Sequence, residues 1–199
     1  MSKLTLGFAL TGSFCTFEKA FAQMEELVRR GYELLPVLSY HAAELDTRFF
    51  LADTVQERIR AITGRLPLCT LPEVEPIGPK RLTDAYIIAP ATGNTLAKLA
   101  AGIFDTPAVL GAKSHLRNER PVVLAVSTND GLGLAAQNIG RLMACRNVYF
   151  VPFAQDDPVR KPRSLVARFE LLPRTVAAAL GGTQIQPMLL EPASPAESG

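Results

Sequence analysis

The sequence lacks the features that mark several large classes of protein. Its 199 residues include three cysteines, two histidines and no tryptophan. Cys15, Cys69 and Cys145 lie far apart and form no CxxC pair, so the sequence predicts neither a disulfide framework nor a zinc site, and no metal is expected. Reduced thiols are the simplest interpretation, and they agree with a cytoplasmic location.

The sequence also lacks a marked excess of positive or of negative charge. Lys and Arg total 21 and Asp and Glu total 19, which gives a net charge of +2 with no basic block. Nucleic acid is therefore not an expected partner. The apolar run over residues 4–10 is too short to span a membrane and no cleavage site follows it, so we expect no membrane association and no signal peptide.

What the sequence has is an alternation of apolar runs and helical periods. Hydrophobic residues make up 48% of the chain, and strand-length apolar runs occur at residues 4–10, 32–38, 85–89, 122–126 and 148–151. Helical periodicity lies between them, and a last helix, kinked at Pro173, is predicted over 165–180. The pattern predicts one α/β domain over residues 1–185, with a doubly wound parallel sheet in three layers. The proline-containing tail 186–199 is predicted to be disordered.

Four of these strands end in loops rich in hydroxyls, amides and glycine. The loops contain Thr11, Gly12 and Ser13, then Ser39, then Ala91, Thr92, Gly93, Asn94 and Thr95, and finally Ser127, Thr128 and Asn129. Any one of them is more readily explained as a helix cap. Four at one edge of a parallel sheet favour a ligand instead. Ser13 stands where a P-loop needs lysine and GxGxxG is missing, so a mononucleotide phosphate remains the open possibility.

Residues 89–105 contain the run Pro90-Ala-Thr-Gly-Asn-Thr95. This segment resembles the PASANT-type motif of the flavoprotein family that includes the phosphopantothenoylcysteine decarboxylases. The resemblance implies a Rossmann-like fold, an FMN site between protomers, and a homo-oligomer built as a trimer or a multiple of trimers. It also implies that Asn94 faces both flavin and substrate, that residues 11–13 form the first phosphate loop, and that Ser39 supplies a second phosphate-side hydroxyl.

Two departures from the decarboxylase pattern change the expected reaction. Glu75 and Pro76 occupy the region in which the decarboxylases carry a catalytic histidine. Residues 126–129 replace their PxMN element, and of it only Asn129 is kept. FMN-dependent decarboxylation is therefore the weaker alternative.

Further segments, at 75–80, 116–118, 127–133 and 149–158, resemble a narrower group within this family. Its members are the second components of a two-component enzyme that makes spore pyridine-2,6-dicarboxylate. The resemblance implies oxidation of a dihydrodipicolinate-level precursor in the mother cell of a spore former. It also implies a partner, the first component of that enzyme, which is nicotinamide-dependent. The alternative is a non-catalytic chain that binds a nucleotide or a partner and supports the first component.

A dicarboxylic substrate needs cationic donors, and a basic cluster precedes the strand at 122–126. Lys113 and Arg117 are the candidate carboxylate contacts, although a solvated basic loop is the slightly favoured explanation for either residue alone. Glu75 is a candidate base for removing a ring proton during aromatisation. Exposure in a proline-rich loop is the simpler explanation for that carboxylate.

Overall fold

Residues 3–192, which a computed structural model describes, contain a seven-stranded sheet whose five principal strands are parallel. These strands are β1 (Thr5–Leu10), β2 (Glu33–Leu38), β3 (Ala85–Ala91), β4 (Val122–Thr128) and β5 (Val148–Phe150). Their order is β2-β1-β3-β4-β5. The chain runs from β1 outward to β2 and then returns past β1 to β3. The strand order therefore reverses between β1 and β3, where ligands of such sheets bind.

The principal strands form because their apolar runs are continuous rather than alternating. Every residue of β3 is buried, and so are five of the six residues of β1. A strand that is covered on both faces needs such a run, because neither face meets water. At the centre, the ring of Tyr86 fills the space left by two residues without side chains, Gly7 and Gly111.

Helices flank the sheet and place their N-termini beside the carboxyl ends of the strands. They are α1 (Phe17–Arg29), α2 (Tyr40–Glu44), α3 (Ala52–Thr63), α4 (Leu71–Val74), α5 (Gly93–Ala101), α6 (Pro107–Arg117), α7 (Ala135–Met143) and α8 (Leu172–Leu180). Helices α1, α3 and α8 pack as one group, and α5, α6 and α7 as another. The predicted fold class, an α/β domain with a doubly wound sheet in three layers, is confirmed.

Two elements differ from the prediction. Residues 153–154 and 165–167 form short strands, β6 (Phe153–Ala154) and β7 (Leu165–Ala167), and β7 pairs antiparallel with the end of β4. The predicted helix over 165–180 is therefore wrong in its first half, and α8 begins at Leu172 with Pro173 in its first turn. Proline fits there because the first turn lacks intrahelical N–H partners.

The first residues of the predicted tail lie against the sheet. Residues 186–190 run beside β6, where Phe153 donates to the Met188 carbonyl and Leu190 donates to the Phe153 carbonyl, each at 3.0 Å. Met188 also packs against the hydrophobic core. Residues 193–199 of the predicted tail lie outside the described residues.

Membrane-crossing helices are missing from residues 3–192, since every helix there is too short or too polar to span a bilayer.

Candidate functional site

The loop after β1 is tied to the loop after β3 through one hydroxyl. Thr11 Oγ1 donates to the Pro90 carbonyl at 2.7 Å and accepts from the Thr92 N–H at 3.2 Å. Thr11 is only 1% exposed. Its hydroxyl is therefore already used inside the protein, and it positions the two loops. The predicted contact between Thr11 and a cofactor stays a prediction.

Three hydroxyls from distant parts of the chain meet beside that junction. Ser13 Oγ lies 2.8 Å from Ser127 Oγ, and Thr16 Oγ1 lies 3.3 Å from the first and 3.5 Å from the second. Thr16 is anchored by donating to the Ser13 carbonyl at 2.8 Å. Hydroxyl groups placed at the start of a helix are donors suited to an anion.

This cluster borders a cavity of about 400 Å³, which we call the hydroxyl cavity. Lys19 and Lys161 supply positive charge at its wall, and Asp156 lies 3.3 Å from Lys161 Nζ. The predicted residues Gly12, Thr92, Gly93, Thr128 and Asn129 also line it. Gly93 permits a close approach, since a Cβ there would lie 3.0 Å from Thr128 Oγ1. The donor set and the volume both fit a phosphate group.

A second cavity of about 580 Å³ lies on the other side of Gly12 and Thr92, and we call it the Asn94 cavity. Asn94 is exposed in the first turn of α5, whose cap is the Thr92 hydroxyl, 3.3 Å from the Thr95 N–H. The opposite wall comes from the start of α2, where Ser39 Oγ accepts from the Ala42 N–H at 3.4 Å. The remaining lining residues are Thr11, Tyr40, His41, Lys98, Asp105 and Thr106.

Since both cavities are lined by Gly12 and Thr92, they form one crevice at the β1–β3 reversal. Of the predicted cofactor residues, Ala91 alone lines neither cavity, and its side chain is fully buried in β3. Sequence reasoning missed Thr16, Lys98 and Asp105. A signal existed for Lys98, because it lies four residues after Asn94 and therefore on the same helix face.

The predicted substrate contacts and the predicted base lie elsewhere. Lys113 and Arg117 are exposed in the second half of α6, and Lys113 Nζ lies 5.0 Å from the centre of the Phe104 ring. A helix rises about 1.5 Å per residue, which carries Lys113 about 10 Å from the crevice end of α6 at Thr106. Glu75 is exposed in a short 3₁₀ turn and lines neither cavity. The geometry gives these three assignments no support.

His115, in the same predicted basic cluster, is a buried structural group. It is 2% exposed and its Nε2 lies 2.6 Å from Thr83 Oγ1. Burial, with the nearby Arg120 charge, lowers the pKa of His115 from 6.5 to about 4. The unfolded chain therefore binds this proton more tightly than the folded one, and folding stability falls as the pH drops from about 6.5 to 4.

We expect this histidine to remove about 3 kcal/mol of stability between pH 7 and pH 4. Urea unfolding of the wild type and of His115→Gln at several pH values measures the difference. The variant should show a shallower loss of stability on acidification. Parallel pH profiles for the two proteins would contradict a depressed histidine pKa.

Comparison with known proteins gives matches along nearly the whole chain. The family model of the Flavoprotein family matches residues 1–163. The B subunit of dipicolinate synthase from Bacillus subtilis (strain 168) is 46% identical over 186 residues, which cover 94% of this chain and 93% of the relative. The predicted resemblance to that group is therefore confirmed.

Solved structures agree with this result. The crystal structure of the dipicolinate synthase B subunit from Bacillus halodurans superposes with a TM-score of 0.88 at 45% identity, covering 97% of this chain and all of that one. Burkholderia xenovorans DmrB, in complex with FMN, has a TM-score of 0.68 at 20% identity, with 90% and 96% covered. The second likeness concerns the fold alone.

Proposed function

Because the chain belongs to the Flavoprotein family, we propose that it is the second component of a dipicolinate synthase and that it binds FMN in the crevice. In this role it takes part in oxidising a dihydrodipicolinate-level precursor to pyridine-2,6-dicarboxylate. The similarity to two such chains over more than nine-tenths of the length supports the assignment. The main observation in support of an FMN site is the hydroxyl cluster of Ser13, Thr16 and Ser127, which lies where the strand order reverses.

The residues present fit the cofactor in two parts. The hydroxyl cavity would hold the phosphate through Ser13 and Ser127, with Lys19 and Lys161 as counter-charges. Thr16, whose hydroxyl donates to the Ser13 carbonyl, would position the Ser13 loop. The Asn94 cavity would hold the ring system and leave room for a small substrate. Asn94 has both an amide donor and a carbonyl acceptor, so it can orient a polar ring edge.

The proposed reaction removes two electrons and two protons from the dihydropyridine ring, which becomes aromatic. Bound FMN would supply the two-electron acceptor. The predicted partner, the nicotinamide-dependent first component of the synthase, would then receive those electrons. This chain's own part is to bind the dicarboxylate, to orient it through Asn94, and to exclude water from the crevice.

A homo-oligomer, as a trimer or a multiple of trimers, belongs to the same proposal. The segments between α2 and α3 and between α5 and α6 expose several apolar side chains, namely Leu45 at 46%, Phe49 at 47%, Leu51 at 58% and Ile103 at 47%. Contiguous exposed apolar surface marks interaction sites more often than free surface. Packing of a second copy there would bury these side chains and narrow the mouth of the crevice.

The test is an anaerobic reduction of the FMN-loaded protein by dihydrodipicolinate, in the presence of the first component but without nicotinamide, so that the electrons stay on the flavin. We expect the visible flavin absorbance to fall, and we expect Asn94→Ala to slow this reduction at least about tenfold. FMN affinity, measured separately by fluorescence titration, should change less in that variant. Gln137→Ala, which removes an exposed amide from α7, is the matched control and should behave as wild type.

Failure of the wild type to bind FMN at saturating concentration would overturn the FMN site. Binding without any reduction, even with the first component present, would favour the non-catalytic alternative. In that case the chain would support the first component, which would transfer hydride by itself.

A further inference from the structure

The Asn94 cavity contains a cationic side chain that the cofactor site does not use. Lys98 is the one lysine or arginine among the lining residues in the described part of the chain. Its side chain is 23% exposed, and it follows Asn94 by four residues on α5. Residues at this spacing lie on one face of a helix, so the Asn94 amide and the Lys98 ammonium share the wall of the cavity.

The ammonium group is held in place by one partner. Lys98 Nζ lies 2.6 Å from both carboxylate oxygens of Asp105. The hydrogen bond from Lys98 holds the pKa of the Asp105 carboxyl below its usual value, so the carboxylate stays charged. An ammonium group has three N–H donors. After two have been used on Asp105, one remains for a ligand.

A purely structural role would be to fasten the turn that follows α5. That turn is already closed by backbone groups, because Ile103 donates to the Lys98 carbonyl at 2.8 Å and Gly102 donates to the Leu99 carbonyl at 3.3 Å. Gly102, at φ +71°, ends the helix without strain. An ion pair whose carboxylate side chain is 57% exposed adds little stability to such a turn. The turn therefore does not depend on the Lys98 side chain, which can bind a ligand.

We propose that Lys98 binds a carboxylate group of the ring substrate in the Asn94 cavity, and that Asp105 positions the lysine. This inference rests on the proposed function, because it assigns the substrate contact of the same site. It replaces Lys113 and Arg117 in that role. The Lys98–Asp105 pair keeps one ammonium N–H donor for a carboxylate, while the hydroxyl cavity, with Lys19 and the Lys161–Asp156 pair at its wall, is left for the phosphate.

Calorimetric titration of the FMN-loaded protein with pyridine-2,6-dicarboxylate tests the proposal without turnover. Lys98→Met removes the charge and keeps the length of the side chain, and we expect it to weaken this binding about tenfold to a hundredfold. Lys98→Arg should recover most of the affinity. Lys80→Met, which makes the same change at an exposed position outside both cavities, should bind as wild type.

Asp105→Asn separates the proposal from a structural role. It breaks the same ion pair as Lys98→Met but leaves the ammonium in the cavity. If the pair only fastened the turn, the two variants would weaken dicarboxylate binding equally, and the proposal would be overturned. The proposal expects a large loss in Lys98→Met and a smaller loss, of about threefold, in Asp105→Asn, which keeps the ammonium but removes the carboxylate that positions it.

The FMN affinity of each variant distinguishes failure of the Lys98 carboxylate contact from failure of the FMN site. Unchanged FMN binding in Lys98→Met, together with weakened dicarboxylate binding, supports the carboxylate contact. Wild-type affinity for the dicarboxylate in Lys98→Met overturns the contact but leaves the FMN site standing. Loss of dicarboxylate binding in Lys113→Met, with none in Lys98→Met, would return the role to α6 and overturn the proposal.

Discussion

Ser13→Asp will abolish FMN binding while riboflavin, which lacks the phosphate, still binds within about threefold of its wild-type affinity. Ser13 Oγ lies at the centre of the hydroxyl cluster, 2.8 Å from Ser127 Oγ. An added carboxylate would face the phosphate at close range. Two unit charges about 4 Å apart near a protein surface repel by about 4 kcal/mol. That energy corresponds to about a thousandfold loss of affinity.

Ser13→Asn is the matched control, because asparagine has almost the size of aspartate without its charge. Fluorescence titrations of both variants with FMN and with riboflavin distinguish charge from size. We expect Ser13→Asn to lose about tenfold for FMN, through the lost hydroxyl alone. Equal losses in the two variants would show that this loop does not contact the phosphate.

Gly111→Ala will destabilise the fold by about 3 kcal/mol. A Cβ at residue 111 would lie 2.3 Å from both Cζ and Oη of Tyr86. The ring also lies close against Gly7, where a Cβ would be 2.4 Å from Tyr86 Cδ2, and the fully buried Tyr86 has little room to move. Chemical and thermal unfolding measure the loss, and a fall in Tm of roughly 10 °C is expected for a domain of this size.

Gly140→Ala is the matched control for this substitution. Gly140 lies within α7, is exposed, and has no atom within 4 Å of the position that a Cβ would take. Alanine there should stabilise the helix by about 0.5–1 kcal/mol. A loss of stability in Gly111→Ala together with a gain in Gly140→Ala would confirm the packing around Tyr86. A Gly111→Ala protein that unfolds at the wild-type temperature would contradict it.

The core strands could be predicted because burial on both faces leaves a continuous apolar run in the sequence. Helix α6 could not be predicted in the same way, because its buried face includes Ala108, Gly111 and Ala112. These small residues leave space for Tyr86 from the sheet, and a face of small residues gives a weak periodic signal. Strand β7 was missed because it has three residues and gains its partner from the distant end of β4.

The site could be predicted as far as its location at the strand ends. Ser13 and Ser127 were found because the loops after parallel strands gather at one edge. The roles of single side chains depend on contacts across the fold. The Thr11 hydroxyl, for example, donates to the carbonyl of Pro90, which is 79 residues away in the sequence. Lys113 and Arg117 lie on a helix, and not in the loop that the sequence predicts, and they line neither cavity.

The antiparallel strands beside the hydroxyl cavity give the chain a way to shield an exposed sheet edge. Strand β6 pairs with β7 on one side, and on the other side the backbone at residues 188–190 accepts from and donates to Phe153. Unpaired edge strands invite pairing with other chains and aggregation. A recombinant protein cut at residue 185 would expose that edge close to Asp156, which borders the hydroxyl cavity. Solubility tags and fusion partners therefore belong after residue 192.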